Sequence, residues 1–223
     1  MSIVKKLQKS TVESLTALFN QPFTEKDWSD VNGGISAYAK SKTLAERAAW
    51  DFINGTENVN KLELVTINPP LILGPVPNKN FRTSVELIRT YMLGQVPGVG
   101  RLKMGVVDVR DVATAIILAM NTREAADNRF LCSGGVLWIK EIAGVLYKEY
   151  SKRGYKIPTI QFPSFLIRFI ALFDKKIALV TNSLDWDFDF SNEKAKRILK
   201  WNPRSPEVAI LAMAESLIEQ GLI

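Results

Sequence analysis

Between about residue 60 and residue 150 short apolar runs alternate with amphipathic ones, and this alternation constrains the fold more than any other feature of the chain. "LELVTI", ending at Ile67, is apolar enough for a strand covered on both faces, and Pro69–Pro70 close it. "RTSVELIRTYMLG" has helical period and stops at Gly94. "MGVVDV" is a short strand. "DVATAIILAM" is an apolar helix with Asp111 near its start, where a carboxylate complements the helix dipole. "NRFLCSG" is a further strand stopped by glycine, and "WIKEIAGVLYKEYSKRG" returns to the helical period. Such a succession places the chain in the α/β class with part of a parallel sheet. Helices then dominate. "FPSFLIRFIALF" has Pro in its first turn, "SNEKAKRILKW" opens on a Ser–Asn cap, and "SPEVAILAMAESLIEQG" has Ser at the cap, Pro next and Gly at the end. A sheet-bearing region over residues 1–150 and a mostly helical lobe over 151–223 are expected. Ligands of such folds sit at the carboxyl ends of the strands, which here are "NPPLILGP" and "SGGV".

Composition then removes whole classes of chemistry. The 223 residues include no histidine, so His-based triads, most zinc sites and haem ligation are excluded. Acid–base work falls to Tyr, Lys, Asp, Glu or a thiol. The single cysteine, Cys132, forbids an intramolecular disulfide and suits a reducing compartment; a cytoplasmic location is expected. No apolar run reaches the roughly 20 residues that span a bilayer, and "FPSFLIRFIALF" is interrupted by Arg168, so no membrane partner is expected. The net charge of +6 is scattered among acidic residues. It suits an anionic ligand such as a phosphorylated nucleotide, but forms no basic block of the kind that binds nucleic acid.

The chemistry-bearing stretch is "YAKSKTLAERAAW", beginning at Tyr38, inside a helix predicted from about Ser36 to Asn54. Residues four apart on a helix share a face, which sets Tyr38 beside Lys42. An ammonium next to a phenol favours the phenolate, and such a tyrosine exchanges protons with a substrate oxygen near neutral pH. The lysine can also hydrogen-bond ribose hydroxyls. By itself the spacing arises by chance in many helices, where it is more often an ordinary surface pair.

Four motifs in order bear on that choice. "FTEKDWSD" lies upstream, followed by "YAKSKTLAERAAWDF", by "NPPLILGP" after the next strand, and by "VDVRDVATAIILAM"; "RILKWNPRSPEVAILAMAESLIEQGLI" closes the chain. Together they resemble the extended short-chain dehydrogenase/reductase family, in the branch of dihydroflavonol, cinnamoyl-CoA and methylglyoxal reductases. The resemblance implies a partial Rossmann-like sheet followed by a substrate lobe. It implies an NADP or NAD cofactor and a small-molecule carbonyl or alcohol substrate. It also implies Tyr38 as general acid/base, Lys42 as the partner that lowers its pKa and holds the nicotinamide ribose, and Pro69, Pro70, Leu71 and Ile72 along the nicotinamide ring. Asp111 is read as structural. In that family the Tyr–Lys helix can pack between subunits, so a homodimer is the implied self-association. Specificity would lie roughly in residues 76–104 and 155–190, where "VPNKNF", "FPSFLIRFIALF" and "LDWDFDF" suggest an apolar, aromatic-lined pocket.

The sequence departs from the family at two places. The stretch "KKLQKSTVES" puts Thr11 at the position of the catalytic hydroxyl, but Gln8 and Lys9 stand where a buried strand wants apolar residues; a surface helix or frayed end over residues 1–20 is the alternative. Neither G-x-G-x-x-G nor G-x-x-G-x-x-G occurs between a strand and a helix, and that turn is what cradles a pyrophosphate. The N-terminal half of the Rossmann sheet is therefore expected to be missing. A reductase of ketones or aldehydes is one reading; a truncated or non-catalytic relative, acting as a binding or structural subunit without its own cofactor site, is the other.

Overall fold

The protein is described by a computed structural model at residues 21–78, 83–178 and 180–223. Thr11 and the stretch around it lie outside the described residues. In chain order the elements are α1 (Ala37–Asn54), β1 (Val65–Asn68), β2 (Leu71–Leu73), α2 (Thr83–Met92), β3 (Lys103–Asp108), α3 (Val109–Asn121), β4 (Asn128–Leu131) and β5 (Gly135–Trp138). They are followed by α4 (Ile139–Tyr150), α5 (Ser164–Ile170), α6 (Lys175–Ala178), α7 (Glu193–Leu199) and α8 (Pro206–Glu219).

The sheet is divided. β1 and β4 pair in parallel, from Val65 opposite Asn128 to Asn68 opposite Leu131. β2 pairs in parallel with β3, and β3 pairs antiparallel with β5, Lys103 lying opposite Trp138. Pro69 and Pro70 cause the division: neither can donate to a ladder, so the chain leaves one sheet before entering the other. Two strands correct the sequence reading. Neither "LIL" nor "GVLW" is among the strands read from the sequence, one being three residues long between Pro70 and Gly74 and the other beginning on the second of two glycines. β5 also makes the second sheet mixed rather than purely parallel.

Two apolar cores follow from the division. The larger joins β2 and β3 to α2, α4 and α8, with Leu73, Ile88, Ile142, Leu146, Ile210 and Leu217 fully buried. Burying one such side chain stabilises the fold by about 1.5–3 kcal/mol. The smaller packs Val107, Ala115, Phe130, Cys132, Leu199 and Trp201 between α3, β4 and α7. Burial, with the charge of Glu25 adding to it, pushes the Cys132 thiol up to about 12, so this cysteine is a core residue rather than a nucleophile.

Asp108 caps α3 by accepting from the Arg110 backbone N–H at 2.8 Å, and its carboxylate also takes the Arg110 guanidinium at 2.8 and 2.6 Å. Asp111, one turn on and buried, accepts from the Arg204 backbone N–H at 2.7 Å and from the Arg204 guanidinium. Trp201 Nε1 donates to the Asp111 carbonyl at 2.9 Å. Asp111 thus fastens α3 to the segment that enters α8. Among the described residues no helix is long and apolar enough to cross a membrane.

Candidate active site

α1 begins where the sequence says it should. Ser36 is its N-cap, with Oγ accepting from Ala39 N–H at 3.1 Å, and a run of Ala, Leu, Glu and Arg sustains the helix to Asn54. One face of α1, carrying Ala39, Lys42, Thr43 and Glu46, forms a wall of a cleft of about 1180 Å³. Thr66 and Asn68 of β1 form its floor, residues 23–36 a second wall, and Trp186 and Phe190 of the C-terminal region the third.

Tyr38 and Lys42 come together as their spacing requires: Lys42 Nζ lies 5.6 Å from the centroid of the Tyr38 ring. Lys42 has no carboxylate partner among the described residues and faces the cleft. Tyr38 is 72% exposed and lies outside the cleft wall; Lys42 is the link between the phenol and the cavity. Pro69, Pro70, Leu71 and Ile72 are half-buried beyond the end of the cleft, with Leu71 packed on the larger core and Ile72 on the smaller. They follow Asn68, which ends β1 and lines the cleft, but do not themselves line it.

Glu46 was not foreseen, and it organises the floor. Its Oε1 accepts from Trp50 Nε1 at 3.3 Å, Thr66 Oγ1 at 2.9 Å, Asn68 Nδ2 at 3.3 Å and Arg129 Nε at 2.7 Å. Oε2 accepts from Arg129 Nη2 at 3.2 Å. One carboxylate therefore joins α1, β1 and β4. Burial by itself would raise the Glu46 pKa, but the hydrogen bonds from Arg129, Thr66 and Trp50, with the charge of Arg129, outweigh it and hold the carboxyl below its ordinary value. Arg129 also donates to the Glu25 carbonyl and stacks 3.7 Å from the Trp28 ring centroid. Glu25 Oε1 in turn accepts from Leu131 N–H at 3.0 Å. The motif "FTEKDWSD" is thereby pinned to the sheet. Glu46 stands one turn beyond Lys42 on the same face, so the helical period could have found it; Arg129 is too distant in sequence for any local signal.

What this arrangement can do chemically is hold a polar ligand against an ammonium and two side chains, Thr66 and Asn68, that carry hydroxyl and amide groups. Among the described residues no group of three or more Cys, Asp or Glu could hold a metal ion.

Comparisons with known proteins bear on the ligand. The family model described as the NAD dependent epimerase/dehydratase family matches residues 2–132. The chain is 30% identical over 148 residues to the NADPH-dependent methylglyoxal reductase of Saccharomyces cerevisiae, covering 61% of this chain and 43% of that protein. It is 30% identical over 202 residues to a ketoreductase of Aspergillus niger, covering 87% and 54%. The crystal structure of the yeast methylglyoxal/isovaleraldehyde reductase complexed with NADPH superposes with a TM-score of 0.70 at 25% identity, covering 92% of this chain and 59% of that one. The chain thus spans about half the length of the curated relatives it matches.

Proposed function

Because this chain belongs to the NAD dependent epimerase/dehydratase family, we propose that it works as a reductase of the extended short-chain type, converting a ketone or aldehyde to an alcohol with NADP(H) or NAD(H). The observation that carries the reading is the Tyr38–Lys42 pair, its ammonium standing free over a cleft floored by Thr66 and Asn68. Support comes from relatives named as methylglyoxal reductase and ketoreductase, and from the NADPH held by a structure with the same fold.

The cleft fits one end of such a cofactor. Lys42 would hold the ribose next to the nicotinamide, with Asn68 towards the ring; the Pro69–Ile72 segment follows Asn68 without lining the cleft and would reach the ring only from the cleft's end. No described helix opens on a glycine-rich turn after a parallel strand, so the pyrophosphate end finds no cradle among the described residues. When bound, the nicotinamide nucleotide supplies the hydride. The residues of this chain handle the proton: the Tyr38 hydroxyl gives it to the carbonyl oxygen, and Lys42 places positive charge beside that oxygen as it gains electron density. Thr11, at the position of the family's catalytic hydroxyl, would donate a hydrogen bond to the same oxygen.

Calorimetric titration of the 223-residue chain with NADPH tests the cofactor half of this reading. Saturable binding is expected, weakened about tenfold or more in Lys42→Ala by loss of a charged hydrogen bond. No saturable heat up to millimolar NADPH would remove the reading. A second reading, a binding subunit without turnover, is favoured by the exposure of Tyr38 outside the cleft wall. It requires that binding, if seen, be accompanied by no reduction of any ketone or aldehyde.

A further inference from the structure

α5 and the turn that follows it carry an apolar face that neither core uses. Leu166, Ile167 and Ile170 turn inward and are half-buried. Phe165, Phe169, Leu172 and Phe173, at positions that recur with the helical period, turn outward and are 73, 59, 75 and 80% exposed. The Phe169 and Phe173 rings meet edge to face at 5.7 Å. From Pro163 to Phe173 the only polar side chain among the exposed ones is that of Arg168. Four large apolar side chains grouped on one face mark an interaction surface rather than ordinary scatter.

The face is held firmly from behind. Val99 N–H donates to the Ile160 carbonyl at 2.8 Å, and Phe162 N–H donates to the Val99 carbonyl at 2.9 Å. A Cβ at Gly98 would lie 2.9 Å from the Phe162 ring, and one at Gly100 would lie 2.9 Å from Ile167 Cδ1. The two glycines thus let the segment lie close against the chain that enters β3. Ser164 Oγ donates to Asp185 Oδ1 at 2.6 Å, fixing the start of α5.

Charge identifies the occupant. Residues 151–180 hold six basic residues, Lys152, Arg153, Lys156, Arg168, Lys175 and Lys176, against one acidic residue, Asp174. Five of the chain's six net positive charges therefore fall in thirty residues. Arg153 is paired with Glu215 and Arg168 with Asp185; Lys152 and Lys156 are exposed. A second copy docked on this face would bring like charge against like charge. Exposed Phe and Leu beside Lys and Arg suit the boundary of a bilayer with anionic headgroups, where rings enter the acyl edge and ammonium groups stay at headgroup depth.

We propose that this face docks the protein on the surface of an anionic membrane, without crossing it, through Phe165, Phe169, Leu172 and Phe173. The lack of a spanning helix does not bear on a contact of this kind, which buries one face only.

The test is flotation of the 223-residue chain with vesicles of phosphatidylcholine containing about 30% phosphatidylserine, and with vesicles of phosphatidylcholine alone, at about 0.1 M and about 0.5 M NaCl. The chain floats with the anionic vesicles at the lower salt, and its affinity falls about tenfold or more on the zwitterionic vesicles and at the higher salt. The double variant Phe165→Ser, Phe173→Ser loses about tenfold or more in lipid affinity. It keeps the wild-type unfolding midpoint, because both rings are exposed. No flotation with anionic vesicles at the lower salt, equal affinity for the two vesicles, or undiminished affinity in the double variant overturns the proposal. Sedimentation velocity supplies the other contrary result: a dimer that the double variant disperses, with no lipid binding by the wild type, assigns the face to self-association instead.

Discussion

α1 and α8 are helices of comparable length held in place by opposite physics. α8, 14 residues long, buries Ala209, Ile210, Met213, Ala214 and Leu217 in the larger core. α1, 18 residues long, buries only Thr43, and what holds it is the Glu46 carboxylate shared with Thr66, Asn68 and Arg129. Apolar burial is concentrated in the core that α8 shares with β2, β3, α2 and α4. The helix that carries Tyr38 and Lys42 rests on directional polar contacts instead, which fix its angle over the sheet at the expense of little buried apolar area.

The largest effect that comparison predicts is at α8. Ile210→Ala removes a fully buried side chain and is expected to cost about 2–5 kcal/mol, read as a fall in the midpoint of urea unfolding with an unchanged slope. A loss below about 1 kcal/mol would mean that α8 is not the anchor described.

A smaller effect is expected at α1. Glu46→Gln weakens charge-assisted hydrogen bonds and leaves Arg129 without its carboxylate, costing about 1–3 kcal/mol. The folded-state pKa of Glu46 lies below its ordinary value near 4.5. Its contribution is therefore complete above that ordinary value and is lost as pH falls through the lower, folded one. Wild type should accordingly lose part of its stability on acidification that Glu46→Gln lacks, and the two unfolding curves should converge at low pH. Parallel pH profiles would show that the carboxylate is not what pins α1.

Legibility in the sequence follows the same division. Local signals were sufficient for α1, α3 and α8: Ser36 caps α1, and Asp111 and Pro206 stand in the first turns of α3 and α8, where a carboxylate and a proline suit a helix start. β1 begins at Val65 rather than Leu62 because Asn58 holds residue 62 in a loop, accepting from its N–H at 2.8 Å and donating to its carbonyl at 3.0 Å. The apolar pattern carries no sign of that. β2 and β5 are strands only because β3 runs between them, and a three-residue segment has no period to read. At the site, the Tyr38–Lys42 face is a property of one helix and was visible. The Glu46–Arg129 pair joins residues that meet only after the chain has folded. "LDWDFDF" gave the aromatic composition of the wall that Trp186 and Phe190 form.

The central claim is that Tyr38 moves the proton in a nucleotide-dependent carbonyl reduction. It is tested most directly by following NADPH oxidation at saturating ketone for the wild-type chain and for Tyr38→Phe. The account predicts turnover by the wild type, a fall in kcat of about 10²–10⁴ in the variant, and an unchanged unfolding midpoint, since Tyr38 is exposed. Equal kcat values for the two proteins would contradict it.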